Sequence, residues 1–251
     1  GDPDARTPHL DALAARGTVL RNTYSCAPVC TPARITMWTG RYAGSLGTLG
    51  NDAAIPAGVP TMAENFRAAG HLTSYVGKWH IGGTGNVAVP EHLRGGFERF
   101  AGFQCFNEFR RDVRFYDERG QVLQFPGRHR TDATFDLAIA RLREAAGDGR
   151  PFLLCVSEQA PHYPCQPSEE FYEPFRGMPM TRRPNTVEVD PYTPTFSPPS
   201  PPREGDPTAK AYGGNLDEYL RCYRAAVSQV DAGVGRLLSK LKALGLADST
   251  V

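Results

Sequence analysis

Gly70-His71-Leu72-Thr73-Ser74-Tyr75-Val76-Gly77-Lys78-Trp79-His80-Ile81-Gly82 decides the fold. Gly70 closes a helix that opens at Val59-Pro60-Thr61 and runs through Ala69, and His71 to Val76 then reads as a strand. Pro151-Phe152-Leu153-Leu154-Cys155-Val156-Ser157 is a second short apolar run of the kind that makes a strand covered on both faces. A helix precedes this strand too, over Thr131 to Ala146, with Phe135, Ile139 and Leu142 on one side. Helices alternating with buried strands predict an α/β fold, with a mostly parallel sheet flanked by helices on both faces.

Further helices carry clear start and stop signals. Thr7 and Thr31 each stand before a proline, as N-caps with Pro8 and Pro32 at the first helical position. The first helix ends at Gly17, followed by a short strand candidate at Thr18 to Leu20; the second ends near Gly40. Asn215 to Leu244 reads as one long helix stopped by Gly245, its apolar stripe running from Tyr219 and Tyr223 through Val227, Val230 and Val234 to Leu241. Ten prolines fall between Pro174 and Pro207, too many for regular structure, and predict a surface excursion over about 174–210.

Composition sets broad bounds. With 251 residues, 40% hydrophobic and 22% charged, the chain can fold around a substantial core. A formal net charge of +1 offers no field for a nucleic acid, and no apolar run is long enough to span a bilayer. The six cysteines form no CxxC motif or paired framework, so neither a disulfide scaffold nor a zinc site is signalled.

Three clusters carry chemistry. In Cys30-Thr31-Pro32-Ala33-Arg34 a sulfur nucleophile falls just before a helix start, where backbone N–H groups and the helix dipole favour anions, and Arg34 can reach back to the same spot. That suits a tetrahedral oxyanion. If the chain stays extended after Val76, Lys78 and His80 share one face while Trp79 enters the core. His162, in Ala160-Pro161-His162-Tyr163-Pro164, follows the other strand, and ligands of open α/β sheets bind beyond strand C-termini. Each cluster taken alone has an ordinary structural explanation: a buried thiol, a surface cation, a turn histidine. The shared placement of His162 and of the Lys78/His80 pair after strands is what favours a site.

Cys30 to Arg34 followed by Met37-Trp38-Thr39-Gly40-Arg41-Tyr42 resembles the first signature of the type I sulfatases, in the alkaline phosphatase superfamily, and Gly70 to Gly82 resembles the second. Thr7 to Gly17, Ala160 to Pro164 and Tyr223 to Asp231 are similar to other segments of that family, in the same order. The resemblance implies a sulfuric ester hydrolase whose residue 30 is oxidised to formylglycine by a separate formylglycine-generating or radical maturation enzyme. It implies that Arg34 holds the hydrated aldehyde, that Lys78 binds both hydrate and sulfate, that His80 takes a proton, and that His162 binds sulfate and assists the leaving oxygen. It also implies Ca2+ or another divalent cation, with residue 30, as formylglycine, the one metal ligand in this chain. Family aspartates would lie before Gly1, and further ligands and a cleft lysine beyond Val251, so residues 1–251 read as part of a catalytic domain, inactive and poorly stable alone. Asp2 and Asp4 follow the missing strand in register and read as loop residues. The substrate would be an aryl sulfate or a sulfated carbohydrate. The alternatives are a phosphonate monoester or phosphodiester hydrolase of the same superfamily, and a non-catalytic binder of sulfated glycans.

Overall fold

The computed structural model describes residues 2–182, 184 and 216–251. Its elements are, in chain order, α1 (Pro8–Arg16), α2 (Cys30–Thr39), α3 (Ala43–Leu46), α4 (Met62–Ala68), β1 (Leu72–Lys78), β2 (Arg99–Phe103), β3 (Arg114–Asp117), β4 (Val122–Gln124), α5 (Arg130–Asp148), β5 (Phe152–Ser157), α6 (Glu169–Tyr172) and α7 (Leu216–Ala243), with 3-10 turns at Glu91–Leu93 and Glu173–Phe175. The chain divides into two compact units: one of 1–17, 107–109 and 159–236, the other of 18–106, 110–158 and 237–251.

The second unit holds the sheet, ordered β4-β3-β2-β1-β5. β1 pairs in parallel with β2 on one side and with β5 on the other, while β2–β3 and β3–β4 are antiparallel. The expected parallel core is therefore extended by an antiparallel edge that sequence periodicity did not reveal. Thr18 to Leu20 forms no strand; it is exposed and irregular.

Alternation along the strands sorts the two faces. Tyr75 and Phe100 pack with Ile35 and Trp38 of α2 and Ala63 of α4, together with Trp79, Ile81 and Phe97. The rings interlock: Trp38 stacks on Trp79 with centroids 6.1 Å apart, and Tyr75 meets Trp79 edge-on at 5.1 Å. Phe103 is three residues from Phe100 and so points the other way, where it packs with Phe115 and with Ala133 of α5. Helices thus cover both faces. The α4 start is fixed by a capping box, in which Thr61 Oγ1 accepts from Glu64 N–H while the Glu64 carboxylate accepts from Thr61 N–H.

The first unit is organised by α7. Its buried side is small and polar, with Ala225, Ala226, Arg224, Gln229 and Asp231, whereas Tyr223 of the expected apolar stripe is exposed. Small residues allow close approach here: a Cβ on Gly235 would collide with the His9 ring. Asp231 caps α1 from outside, its carboxylate accepting from His9 N–H (3.2 Å) and Leu10 N–H (2.7 Å), a function that the Thr7 side chain does not perform. In the first part of the proline-rich stretch, Phe175 and Met180 pack against Ala225; residues 183 and 185–210 of the expected excursion lie outside the described residues.

Candidate active site

The site is built where β1 ends. Gly77 adopts φ +112°, and a Cβ there would collide with the Ser157 carbonyl of β5, so glycine is required for the two strands to lie this close. Sheet pairing persists to Trp79, whose N–H donates to Phe103 O at 2.8 Å. The chain then turns: His80 lies at φ +52°, a left-handed conformation that costs a non-glycine residue about 1–2 kcal/mol. Extended alternation therefore stops at Trp79, earlier than the sequence reading assumed. Flanking hydrogen bonds hold the strained residue. Thr31 Oγ1 donates to His80 O at 2.6 Å, and the Gln104 amide brackets Ile81, accepting from its N–H and donating to its carbonyl, each at 3.2 Å.

The start of α2 differs from the expectation in a way that matters. Cys30 is the first helical residue and Val29 the N-cap, so Thr31 lies inside the helix. Thr31 N–H donates to Asn51 Oδ1 at 3.1 Å, Pro32 has no N–H, and Ala33 N–H closes on Val29 O. The N–H groups of Thr31 and Ala33 are thus satisfied by the protein itself, and the attraction for an anion falls to side-chain cations. Lys78 Nζ lies 3.9 Å from Cys30 Sγ. Arg34 Nη1 donates to Lys78 O at 2.7 Å and to Ser157 Oγ at 2.9 Å. Lys78 and His80 are buried, Cys30 and Arg34 half-buried. Neither Lys78 nor Arg34 forms an ion pair with a carboxylate among the described residues.

Titration follows from these contacts. Burial opposes the charged form of His80, but hydrogen bonds to Cys105 and Cys30 outweigh it and hold the imidazole above its ordinary value. Burial likewise pushes the Cys105 thiol up, and His80 and Lys78 more than compensate, leaving it below its ordinary value. Cys155, in the β5 strand, has no such neighbours, and burial pushes it up to about 12.

Cys30, Arg34, Lys78 and His80 are therefore linked within one unit through direct contacts. His162 belongs to the other unit, where its N–H donates to Gln159 O and its Nδ1 lies 2.6 Å from Tyr163 O. Sequence reasoning missed Ser157, Gln104, Asn51 and Cys105, which are brought in by the sheet and by loops distant in sequence and are marked by no local motif; Tyr75 lies within the Gly70–Gly82 motif, but its hydroxyl was given no role.

No group of three or more His, Cys, Asp or Glu able to hold a metal occurs among the described residues. Asp2 and Asp4 both pair with Arg224, at 3.1 and 3.4 Å, and Asp4 also accepts from Thr181 N–H. The described residues do not make a metal site by themselves.

The sulfatase family model matches residues 1–251, and the chain belongs to that family. It is 32% identical over 253 residues to an ulvan-active sulfatase of Formosa agariphila, an alignment covering 100% of this chain and 45% of that protein. Among solved structures, a Bacteroides thetaiotaomicron sulfatase from a locus for glycosaminoglycan metabolism superposes with a TM-score of 0.78 at 23% identity, over 98% of this chain and 52% of that one. A phosphonate monoester hydrolase of Agrobacterium radiobacter gives a TM-score of 0.68 at 20% identity, covering 99% and 56%. At these identities the structural likenesses establish the fold. The chain spans about half the length of these relatives.

Proposed function

We propose that the protein hydrolyses sulfuric esters through a formylglycine made from Cys30, and that residues 1–251 are part of its catalytic domain. The observation that carries this reading is the pair of cations, Lys78 and Arg34, gathered beside Cys30 at the end of β1 with no described carboxylate to neutralise them. Cations left unpaired in a partly buried site await an anion from outside. Arylsulfatase A aligns with 41% of this chain, whereas the ulvan-active sulfatase aligns with all of it, which favours a sulfated carbohydrate over an aryl sulfate.

In this reading a maturation enzyme converts the Cys30 side chain to an aldehyde, which hydrates. One hydroxyl oxygen attacks sulfur, its proton passing to solvent, and the S–O bond to the alcohol breaks. The alcohol leaves, protonated with the help of His162. His80 then takes the proton of the second hydroxyl, the bond from carbon to the sulfated oxygen breaks, and sulfate departs as the aldehyde reforms. Lys78 offsets the charge on the transferring group, and Arg34 orients the hydrate. The family implies a divalent cation that would polarise the sulfate oxygens, with residue 30 as one ligand. Since no further ligands gather among the described residues, no step here is assigned through it.

The test is parallel kinetics of the matured full-length protein on sulfate esters, phosphate diesters and phosphonate monoesters. Turnover of sulfate esters, abolished by Cys30→Ala, is expected. Reaction at phosphorus only would replace this reading with a phosphonate or phosphodiester hydrolase. Glycan binding without turnover after residue 30 is converted would indicate a binding protein.

A further inference from the structure

We propose that Ser157, the last residue of β5, is a positioning residue for Arg34. Its single hydroxyl does two things at once: the oxygen accepts from Arg34 Nη1 at 2.9 Å, and the proton is donated to Lys78 O at 2.9 Å. With the direct bond from Arg34 Nη1 to Lys78 O at 2.7 Å, this closes a triangle. The triangle ties the guanidinium of α2 to the main chain of the residue whose ammonium meets Cys30.

Ser157 is not needed to satisfy the Lys78 carbonyl. That oxygen accepts from three donors, Arg34 Nη1, Ser157 Oγ and the Tyr75 hydroxyl, although a carbonyl has two lone pairs. Tyr75 is fully buried, which pushes its pKa up to about 12 and keeps its hydroxyl a donor, with Arg34 and Ser157 pulling the other way. Deleting the Ser157 hydroxyl therefore leaves Lys78 O with two donors and orphans no buried acceptor. What is lost is the one acceptor on β5 that fixes the direction of Arg34, which then keeps Lys78 O and the Tyr75 hydroxyl, both on β1. A long, flexible side chain held from one strand instead of two can swing, and a displacement of about 1 Å can cost on the order of a hundredfold in rate.

The inference rests on the role given to Arg34 above, so its test has a readout independent of turnover. In the matured full-length protein, the Arg34 guanidinium should give resolved, exchange-protected side-chain N–H signals in 1H–15N spectra. Ser157→Ala should broaden or average them, and Ser157→Thr, which restores the hydroxyl, should bring them back. Kinetically, Ser157→Ala should lower kcat roughly 10- to 100-fold with KM changed less than about threefold, and Ser157→Thr should recover most of the loss. Unchanged Arg34 signals, or wild-type kcat, in Ser157→Ala would overturn the proposal. So would unfolding of Ser157→Ala, because the Lys78 carbonyl keeps its other donors. If the wild-type protein turns over no sulfate ester, the functional reading fails, and the Arg34 spectra alone decide whether Ser157 positions it.

Discussion

Arg224 and Lys78 are both long cations taken almost wholly out of water, at 5% and 2% exposed, yet the protein treats them differently. Around Arg224 everything is complementary: Asp2 and Asp4 supply carboxylates, Thr181 a carbonyl and Met180 a sulfur acceptor. That cluster neutralises itself and ties the N-terminal residues to α7 within one unit. Around Lys78 stand Cys30, Cys105, His80 and the guanidinium of Arg34, with no described carboxylate. Gathering like charge and near-neutral groups weakens a fold. The difference teaches that the first cluster serves stability, and that the second retains charge for a ligand.

Replacing the nucleophile should produce the largest effect. Cys30→Ala is expected to lower turnover of the matured enzyme by about 10^5-fold or more, measured as kcat on a sulfate ester, without lowering the thermal midpoint. Lys78→Met sharpens the contrast further. It should cost about 10^2- to 10^3-fold in activity and yet raise stability by about 1 kcal/mol in chemical denaturation, since it removes an unpaired buried cation. Arg224→Met should do the reverse, leaving chemistry intact and lowering stability by about 2 kcal/mol. That figure is set below a fully buried pair because the Asp2 side chain is 41% exposed. A stability loss in Lys78→Met as large as that in Arg224→Met would erase the distinction.

The smallest effect concerns the thiols. Cys26 is exposed and should alkylate readily at pH 8, whereas Cys155, raised to about 12 by burial, stays protonated below that pH and should react only on unfolding. Peptide mapping after iodoacetamide reads this directly. Equal labelling of both would show that β5 is not held as described.

Local signals carried much of the fold. Pro8 marks the start of α1, and Gly40, at φ +67°, and Gly245, at φ +70°, end helices as their positions predict. The β1 and β5 runs were legible because each follows a helix with a clear stop, and β5 is apolar throughout most of its length. The β2, β3 and β4 strands were not: they have five, four and three residues, and each exists because the strand before it in the sheet, starting with β1, offers an edge on which to pair. The same limit governs the site. Cys30, Arg34, Lys78 and His80 are legible as residue types in motifs. Ser157 is 79 residues from Lys78 and meets it only because β5 pairs with β1, with Gly77 opposite Ser157. The misplaced N-cap at Thr31 has a similar cause, since Asn51, twenty residues on, supplies the acceptor that the sequence reading gave to Thr31.

The central claim is that residue 30 becomes the reacting group. Mass spectrometry of the tryptic peptide Asn22–Arg34, from protein expressed with a maturation enzyme, tests it most directly. The account predicts a peptide in which the thiol and one hydrogen of residue 30 have been replaced by a carbonyl oxygen, trapped as an oxime by hydroxylamine. A persistent free thiol at Cys30 in protein that turns over sulfate esters would contradict it.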